Sequence, residues 1–92
     1  MKHSLKTWPQ QFKDIKFGKK RFEIRKNDRN YQVGDILYLK EWIPETQTYT
    51  GDFCIARVMF CMTDFPCKLV VDGTAVMSIK ILSEIMGGNL NE

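Results

Sequence analysis

The chain has 92 residues, of which 43% are hydrophobic and 27% are charged, and its formal net charge at pH 7 is +3. A chain of this length has enough apolar surface for one core, so we expect a single domain over residues 1–92. The sequence contains neither a run of about 18 apolar residues nor the apolar segment of a secretory signal, which argues against a membrane partner. We therefore expect a cytoplasmic protein, and we take it as a monomer because no sequence pattern indicates an oligomer.

Positive charge is concentrated in the first third of the chain. Residues 1–29 carry ten Lys or Arg and three Asp or Glu, a balance of +7, whereas residues 30–92 carry four Lys or Arg and eight Asp or Glu, a balance of −4. A basic cluster with nearby aromatic residues is typical of proteins that bind nucleic acid, because each neutralised phosphate releases counterions. A charged run also fits a solvated surface, so the asymmetry alone indicates only a class of partner.

The first predicted elements are a short strand over residues 2–6 and an amphipathic helix. Thr7 is suited to cap the helix, with Gln10 three residues later as in a capping box. Pro9 is tolerated in the first turn, because its missing N–H has no intrahelical partner there. The apolar side chains at helical spacing are Trp8, Phe12 and Ile15. We expect about ten helical residues packed on a sheet, ended by Gly18.

Alternating charge follows the helix over residues 20–26, which we call the motif strand. Because successive side chains of a strand point to opposite sides, Phe22 and Ile24 share one face. The other face carries three charged residues: Arg21, Glu23 and Arg25. This charged row is either a solvent-exposed set of ion pairs, which contributes little to stability, or the floor of a binding site.

The rest of the chain is dominated by strand patterns. We expect a loop over 27–34, a strand over 35–42, a hairpin tip over 44–51, a long strand over 53–63, a short extended piece over 69–71, a turn at 72–73 and a final strand over 75–82. In the long strand, alternation assigns one face to Cys54, Ala56, Val58, Phe60 and Met62. Five or six short strands with one early helix predict an α+β fold built on a small, partly closed barrel.

The three cysteines, Cys54, Cys61 and Cys67, form an odd set without Cys-x-x-Cys spacing. This pattern is typical of free, structural thiols in a reducing compartment. Because the chain has one histidine, a metal site built from cysteine and histidine is disfavoured. We expect neither a metal nor a cofactor.

Several motifs together resemble a known family. The pattern G-x-K-x-x-E-x-R at Gly18, Lys20, Glu23 and Arg25, preceded by a helix, resembles the ASCH domain, a branch of the PUA-like superfamily. Further similarity to a compact, mostly uncharacterised ASCH-like group of bacteria and phages lies in His3-x-Leu5-Lys6-x-x-Pro9, in residues 22–29, and in Pro44-Glu45-Thr46 with Tyr49-Thr50-Gly51. The resemblance covers nearly the whole chain and is weakest over residues 65–73.

This resemblance implies a small PUA-like mixed β-barrel of five to six strands with one N-terminal helix packed on it. It also implies a cleft between that helix and the motif strand, and a role in binding RNA or a nucleotide. The candidate binding residues are Lys6, Trp8, Lys20, Glu23, Arg25, Lys26, Arg29 and Tyr31. In this interpretation the cations contact phosphate, Glu23 accepts hydrogen bonds from a base, and Trp8 or Tyr31 stacks on it. The competing interpretation buries Trp8 on the sheet and packs Tyr31 in its loop.

A hydrolase acting on RNA or a modified nucleoside is the main alternative, with Lys20 and Glu23 as its catalytic candidates. Some ASCH relatives are amidohydrolases of acetylated cytidine, which implies a lysine, a threonine nucleophile and a glutamate. Here Glu23 stands at the threonine position, and Asp64 is the nearest candidate for the third member, so we lean against an enzyme. A ribonuclease would need His3 or Glu23 to move protons.

His3, Asp35 and the segment near Phe65 have further interpretations. We expect His3 at an exposed terminus, with the cleft rim as the alternative, and Asp35 in the turn at residues 33–34. A protein-interaction module of phage or bacterial type is the second alternative function. It would show an exposed apolar patch around Phe65 and Leu69.

Overall fold

The structure is a computed structural model that describes residues 1–66 and 68–85. Within this part of the chain there are one helix and five strands. In chain order these are β1 (Lys2–Thr7), α1 (Pro9–Lys16), β2 (Phe22–Lys26), β3 (Ile36–Ile43), β4 (Thr48–Met62) and β5 (Thr74–Ile85). No helix among the described residues is long and apolar enough to cross a bilayer.

The strands form one sheet in the order β1-β3-β4-β5-β2 that curls into a half-barrel. Strands β1 and β3 are parallel, and the other three pairings are antiparallel. The α+β class is therefore confirmed. The order leaves β1 and β2 as the two edges of the sheet, and both edges flank α1 in the sequence.

The core lies on the inner face of the curled sheet and is closed on one side by α1. Phe12 and Ile15 are the buried residues of the helix, as their spacing predicts. Tyr31, in the loop before β3, is also part of the core. The strands supply the remaining buried apolar side chains, which are Leu5, Leu37, Leu39, Cys54, Ala56, Val58, Ala75, Met77 and Ile79. Because inward positions alternate along each strand, the core fixes which side chains of the edge strands turn inward.

The start of α1 differs from the prediction. Thr7 lies in β1 rather than at the helix cap, Trp8 is the N-cap residue, and no side chain caps the helix. The physical reason is that the Thr7 hydroxyl is buried and accepts a hydrogen bond from Arg25. The end of the helix agrees with the prediction, because Gly18 follows it with a φ of 76° and its N–H donates to the Ile15 carbonyl.

Strand β4 contains an irregularity that changes which side chains face inward. The predicted shared face holds for Cys54, Ala56 and Val58, which are all buried. It is wrong for Phe60 and Met62, because the register shifts between Val58 and Phe60 and turns both side chains outward.

The connection between β4 and β5 was predicted in part. Residues 69 and 70 form turn and bend and residue 71 has no regular structure, so the expected extended piece is absent, and no described strand pairs with it. The predicted turn at Asp72-Gly73 is present, with a φ of 85° at Gly73, whose carbonyl accepts a bond from the Asn27 N–H. Cys67 lies outside the described residues.

The two described cysteines are free thiols, as expected. Burial raises the pKa of the Cys54 thiol to about 11, and burial also raises the pKa of Cys61. Both thiols are therefore protonated at neutral pH, which fits a structural role.

Candidate nucleic-acid interface

Two of the three charged residues of the motif strand, Glu23 and Arg25, turn inward, whereas Arg21 is exposed before β2 and the apolar row turns outward. Glu23 is 2% exposed, whereas Phe22 and Ile24 are exposed. The interpretation of Glu23 as part of a surface ion-pair row is therefore wrong. Glu23 can turn inward because β2 is an edge strand. Its inward side chains face the gap beside α1 rather than the centre of the apolar core.

Both carboxylate oxygens of Glu23 accept hydrogen bonds from cations. Lys20 Nζ donates to Oε2 and Arg25 Nη2 donates to Oε1, each at 2.9 Å. Lys20 Nζ also donates to Gln11 Oε1 of α1 at 2.7 Å. These charge-assisted bonds compensate the buried carboxylate, which would otherwise be costly to remove from water.

Arg25 also crosses the gap between the two edge strands. Its Nη1 donates to the Lys6 carbonyl at 3.1 Å, and its Nη2 lies 3.4 Å from Thr7 Oγ1. Arg29 makes a similar bond from the loop after β2, donating to the Ser4 carbonyl at 3.1 Å. Since β1 pairs with only one strand, these side chains hydrogen-bond to its otherwise open edge.

A cleft of about 270 Å³ opens where α1, β1 and β2 meet, and we call it the cation cleft. Three cations and one carboxylate contribute to its wall. Trp8 lies on its rim and is 57% exposed, so the competing interpretation that buries it on the sheet is wrong. The lining residues are Lys6, Thr7, Trp8, Gln11, Lys20, Glu23, Ile24 and Arg25.

The cations of the cleft keep unused donors. Lys20 uses two of its three N–H bonds on Gln11 and Glu23, and Arg25 uses its guanidinium on Glu23, Thr7 and the Lys6 carbonyl without engaging Nε. The Lys6 ammonium lies 4.3 Å from the centre of the Trp42 ring. The cleft therefore presents N–H donors of positive charge to a ligand.

Three predicted site residues do not line the cleft. Tyr31 is 3% exposed and packs edge-on against His3, with ring centres 4.9 Å apart, so its prediction as a stacking surface is wrong. Burial also raises the pKa of its phenol. Lys26 and Arg29 line a separate depression of about 190 Å³ that shares Arg25 with the cation cleft.

His3 is buried, so its prediction as an exposed terminal residue is wrong, and it does not line the cleft. Its Nε2–H donates to Asp35 Oδ2 at 2.8 Å, and Asp35 also accepts from the Gln32 N–H, as expected for a turn residue, and from the Met1 ammonium. Burial alone raises the pKa of Asp35, but these bonds lower it to about 2. His3 and Asp35 thus form a buried structural pair.

Lys20 and Glu23, the catalytic candidates of the hydrolase alternative, line the cleft, but the other residues of the two alternative functions lie elsewhere. Asp64 is exposed and does not line the cleft, so it is not placed with Lys20 and Glu23. Phe65 is half-buried, whereas Leu69 and Val71 are exposed. Among the described residues, no group of three or more His, Cys, Asp or Glu side chains is placed to hold a metal ion.

The sequence interpretation did not include Thr7, Gln11 or Ile24 in the site. Gln11 has a readable signal, because it lies three residues after Trp8 and therefore on the same side of a helix. Thr7 has one too, since it shares its strand face with His3 and Leu5 and points inward with them. Ile24 has none, because its place in the cleft follows from the open edge of β2.

Comparison with known proteins gives a family but no activity. The model of a domain of unknown function, DUF3850, matches residues 2–79. A curated relative, an uncharacterized 12.9 kDa protein in the GpA 3′ region of Escherichia phage P2, is 43% identical over 56 residues. That match covers 61% of this chain and 50% of the relative, so the chain spans about half the length of the relative. Since the family model covers most of the sequence, the chain belongs to the DUF3850 family of domains of unknown function.

Proposed function

We propose that this protein is a cytoplasmic RNA- or nucleotide-binding domain of the ASCH type within the PUA-like superfamily, and that the cation cleft is its binding site. The observation that carries the proposal is the arrangement of Lys20 and Arg25 around the buried carboxylate of Glu23. The half-barrel sheet with a helix at its open side is compatible with a PUA-like barrel.

The role of Glu23 in this proposal differs from the one its sequence position suggests. Glu23 is 2% exposed and both of its oxygens already accept hydrogen bonds from Lys20 and Arg25, so its carboxylate offers a base almost no accessible surface. Burying a carboxylate costs several kcal/mol that an ion pair offsets only when its geometry is good, so stability alone is a weak reason for such a group. Glu23 instead acts as a positioning residue that holds the two cations towards the cleft.

An anionic ligand matches the charge of the cleft. Its wall carries three cations against one carboxylate, which favours a phosphate group over a neutral solute. Trp8 at the rim offers an exposed indole face, on which a base can stack while its phosphate contacts the cations. Phosphate contact gives affinity in this arrangement, and stacking favours unpaired bases over a duplex.

A titration of the protein with short single-stranded RNA and with ribonucleoside 5′-monophosphates tests the proposal by nuclear magnetic resonance. We expect shifts clustered on residues 6–8, 11 and 20–25. We also expect Lys6→Glu to weaken RNA binding and to flatten its dependence on salt, by about 0.7 in slope for each lost phosphate contact. Lys6 suits the test because its side chain is exposed and is not part of the Glu23 network.

The matched control is Lys13→Glu, which makes the same charge change at an exposed position on α1 that lines neither the cleft nor the neighbouring surface around Phe22. Equal weakening by both variants would mean that binding follows net charge alone. Shifts scattered over the surface, or affinity that does not change with salt, would contradict the cleft as the site.

A further inference from the structure

The outward face of strands β2, β5 and β4 carries an apolar patch, which we call the outer platform. Phe22 is 46% exposed and Phe60 is 56% exposed, although both lie in paired strands. The platform consists of Phe22, Ile24, Met59, Phe60, Met62 and the half-buried Val76. A contiguous exposed apolar patch of this kind marks an interaction surface more often than scattered apolar residues do.

Strand register arranges the platform in rows. Phe22 lies opposite Ser78, which lies opposite Phe60, so the two rings stand about 10 Å apart on either side of a small residue. In the next row Ile24, Val76 and Met62 are aligned in the same way. The shift in β4 that overturned the sequence prediction is what brings Phe60 onto this face.

Cations surround the platform. Outward positions at its two ends are held by Lys26 on β2 and by Arg57 and Lys80, which face each other across β4 and β5. Lys20 Nζ lies 5.5 Å from the centre of the Phe22 ring. On the described strands, no outward position between Phe22 and Lys26, Arg57 and Met62, or Thr74 and Lys80 holds an Asp or Glu, because Glu23 faces inward.

The cations around the platform favour some binding partners over others. A second copy of the chain docked face to face would bring like charges together, which is unfavourable for association. A polyanion with flat apolar groups satisfies both features, because its phosphates meet the cations and its bases stack on the rings. Single-stranded nucleic acid has this chemistry.

The platform is continuous with the cation cleft. A groove of about 660 Å³ is lined by Gln11, Asp14, Lys19, Lys20, Phe22 and Ile24. It shares Gln11, Lys20 and Ile24 with the cleft, and Phe22 and Ile24 with the platform. A strand leaving the cleft therefore has a path, past two lysines, onto the aromatic rings.

We infer that single-stranded nucleic acid runs from the cation cleft through this groove and across the outer platform, where its bases stack on Phe22 and Phe60. The inference rests on the proposed function for the cleft end of the strand and extends it from one nucleotide to several. It assigns the protein a preference for oligonucleotides over mononucleotides.

The decisive variant is Phe60→Ala, because Phe60 lines neither the cleft nor the groove. Binding is measured for a single-stranded RNA of about eight nucleotides and for uridine monophosphate. We expect Phe60→Ala to weaken binding of the oligonucleotide by about fivefold or more and to leave binding of the mononucleotide unchanged, since each stacked base contributes separately. Tyr49→Ala, at an exposed aromatic residue of the β3–β4 hairpin, is the matched control and leaves both affinities unchanged.

Unchanged oligonucleotide affinity in Phe60→Ala overturns the inference, as does an oligonucleotide that binds wild type no more tightly than the mononucleotide. Self-association of the wild type that Phe60→Ala abolishes, without nucleic acid, would assign the platform to a second copy and also overturns it. A different result would contradict the proposed function alone. If oligonucleotide binding depends on Phe60 but is insensitive to Lys6→Glu, and the mononucleotide does not bind, then the platform belongs to the binding site and the cleft does not.

Discussion

At the scale of single residues, Glu23 links stability to binding. It is a buried carboxylate whose two oxygens form ion pairs with Lys20, which precedes β2, and with Arg25, which lies within β2. Removing its charge leaves two cations close together with no counter-ion between them. Folding and the shape of the cleft therefore depend on the same side chain.

We expect Glu23→Gln to lower the free energy of unfolding by about 3 kcal/mol, because breaking one side of a buried ion pair leaves its partners uncompensated. Urea denaturation followed by circular dichroism measures the change. Adding Lys20→Met to the variant is expected to recover part of the loss, since one of the unpaired cations is then removed. The control is Glu45→Gln at an exposed glutamate of the hairpin. A loss below about 0.5 kcal/mol in Glu23→Gln would mean that the network behaves like a surface ion pair.

At the scale of elements, the sequence predicts the strands and the helix well but not the orientation of the edge strand. Alternation correctly groups Glu23 with Arg25 and Phe22 with Ile24. It does not say which group turns inward, because that depends on the partner of β2 and on the arginine bridge to β1, which involve distant parts of the chain. On β2 the apolar side chains face solvent and the charged side chains face inward, and this reversal of the usual pattern marks the candidate site.

Strand β4 is a second element in which alternation alone does not predict the orientation of every side chain. Its alternation predicts the inward face as far as Val58, and the irregularity before Phe60 then exposes an aromatic residue. A register shift arises from pairing with β5, so no pattern within β4 alone encodes it. The cleft between the helix and the motif strand was therefore implied by the family resemblance rather than by the pattern of the residues, and the outer platform follows only from the folded sheet.

The bridge from Arg25 to β1 leads to a prediction about local opening. Arg25→Lys keeps the charge but loses the planar set of donors that reaches Glu23 and the β1 edge together. We expect hydrogen exchange of the β1 amides to become about thirtyfold faster, since roughly two hydrogen bonds of about 1 kcal/mol each are lost. Exchange in β4 and β5 should change little. Arg57→Lys is the control, and equal protection of β1 in both variants would contradict the bridge.

At the scale of the whole molecule, Asp35 joins the beginning of the chain to the turn before β3. It accepts hydrogen bonds from His3 in β1 and from the Gln32 N–H, which lie far apart in the sequence. Strand β1 is held to the sheet on one side by β3 alone. Buried polar pairing near its first residues therefore supports the parallel edge on which the cleft is built.

This pairing predicts how stability depends on acid. The pKa of Asp35 is about 2 in the folded protein against an ordinary value of 3.8, so its carboxylate stabilises the fold fully above about pH 4. That contribution, about 2 kcal/mol, is lost as the pH falls from about 4 through 2, where the folded form also takes up the proton. Asp35→Asn should be less stable than wild type at pH 6, and the difference should shrink by about this amount at pH 2.

Urea denaturation of both proteins at several pH values between 2 and 6 measures this difference, and comparing the two curves cancels the titration of other carboxyl groups. Asp28→Asn, at an exposed residue of the loop after β2, serves as the control and should follow the wild-type curve. A gap between wild type and Asp35→Asn that stays constant over the whole range would show that Asp35 acts by packing rather than by its charge. A gap that closes below pH 4 would identify the charged Asp35 carboxylate as the acid-sensitive contact between β1 and the turn before β3.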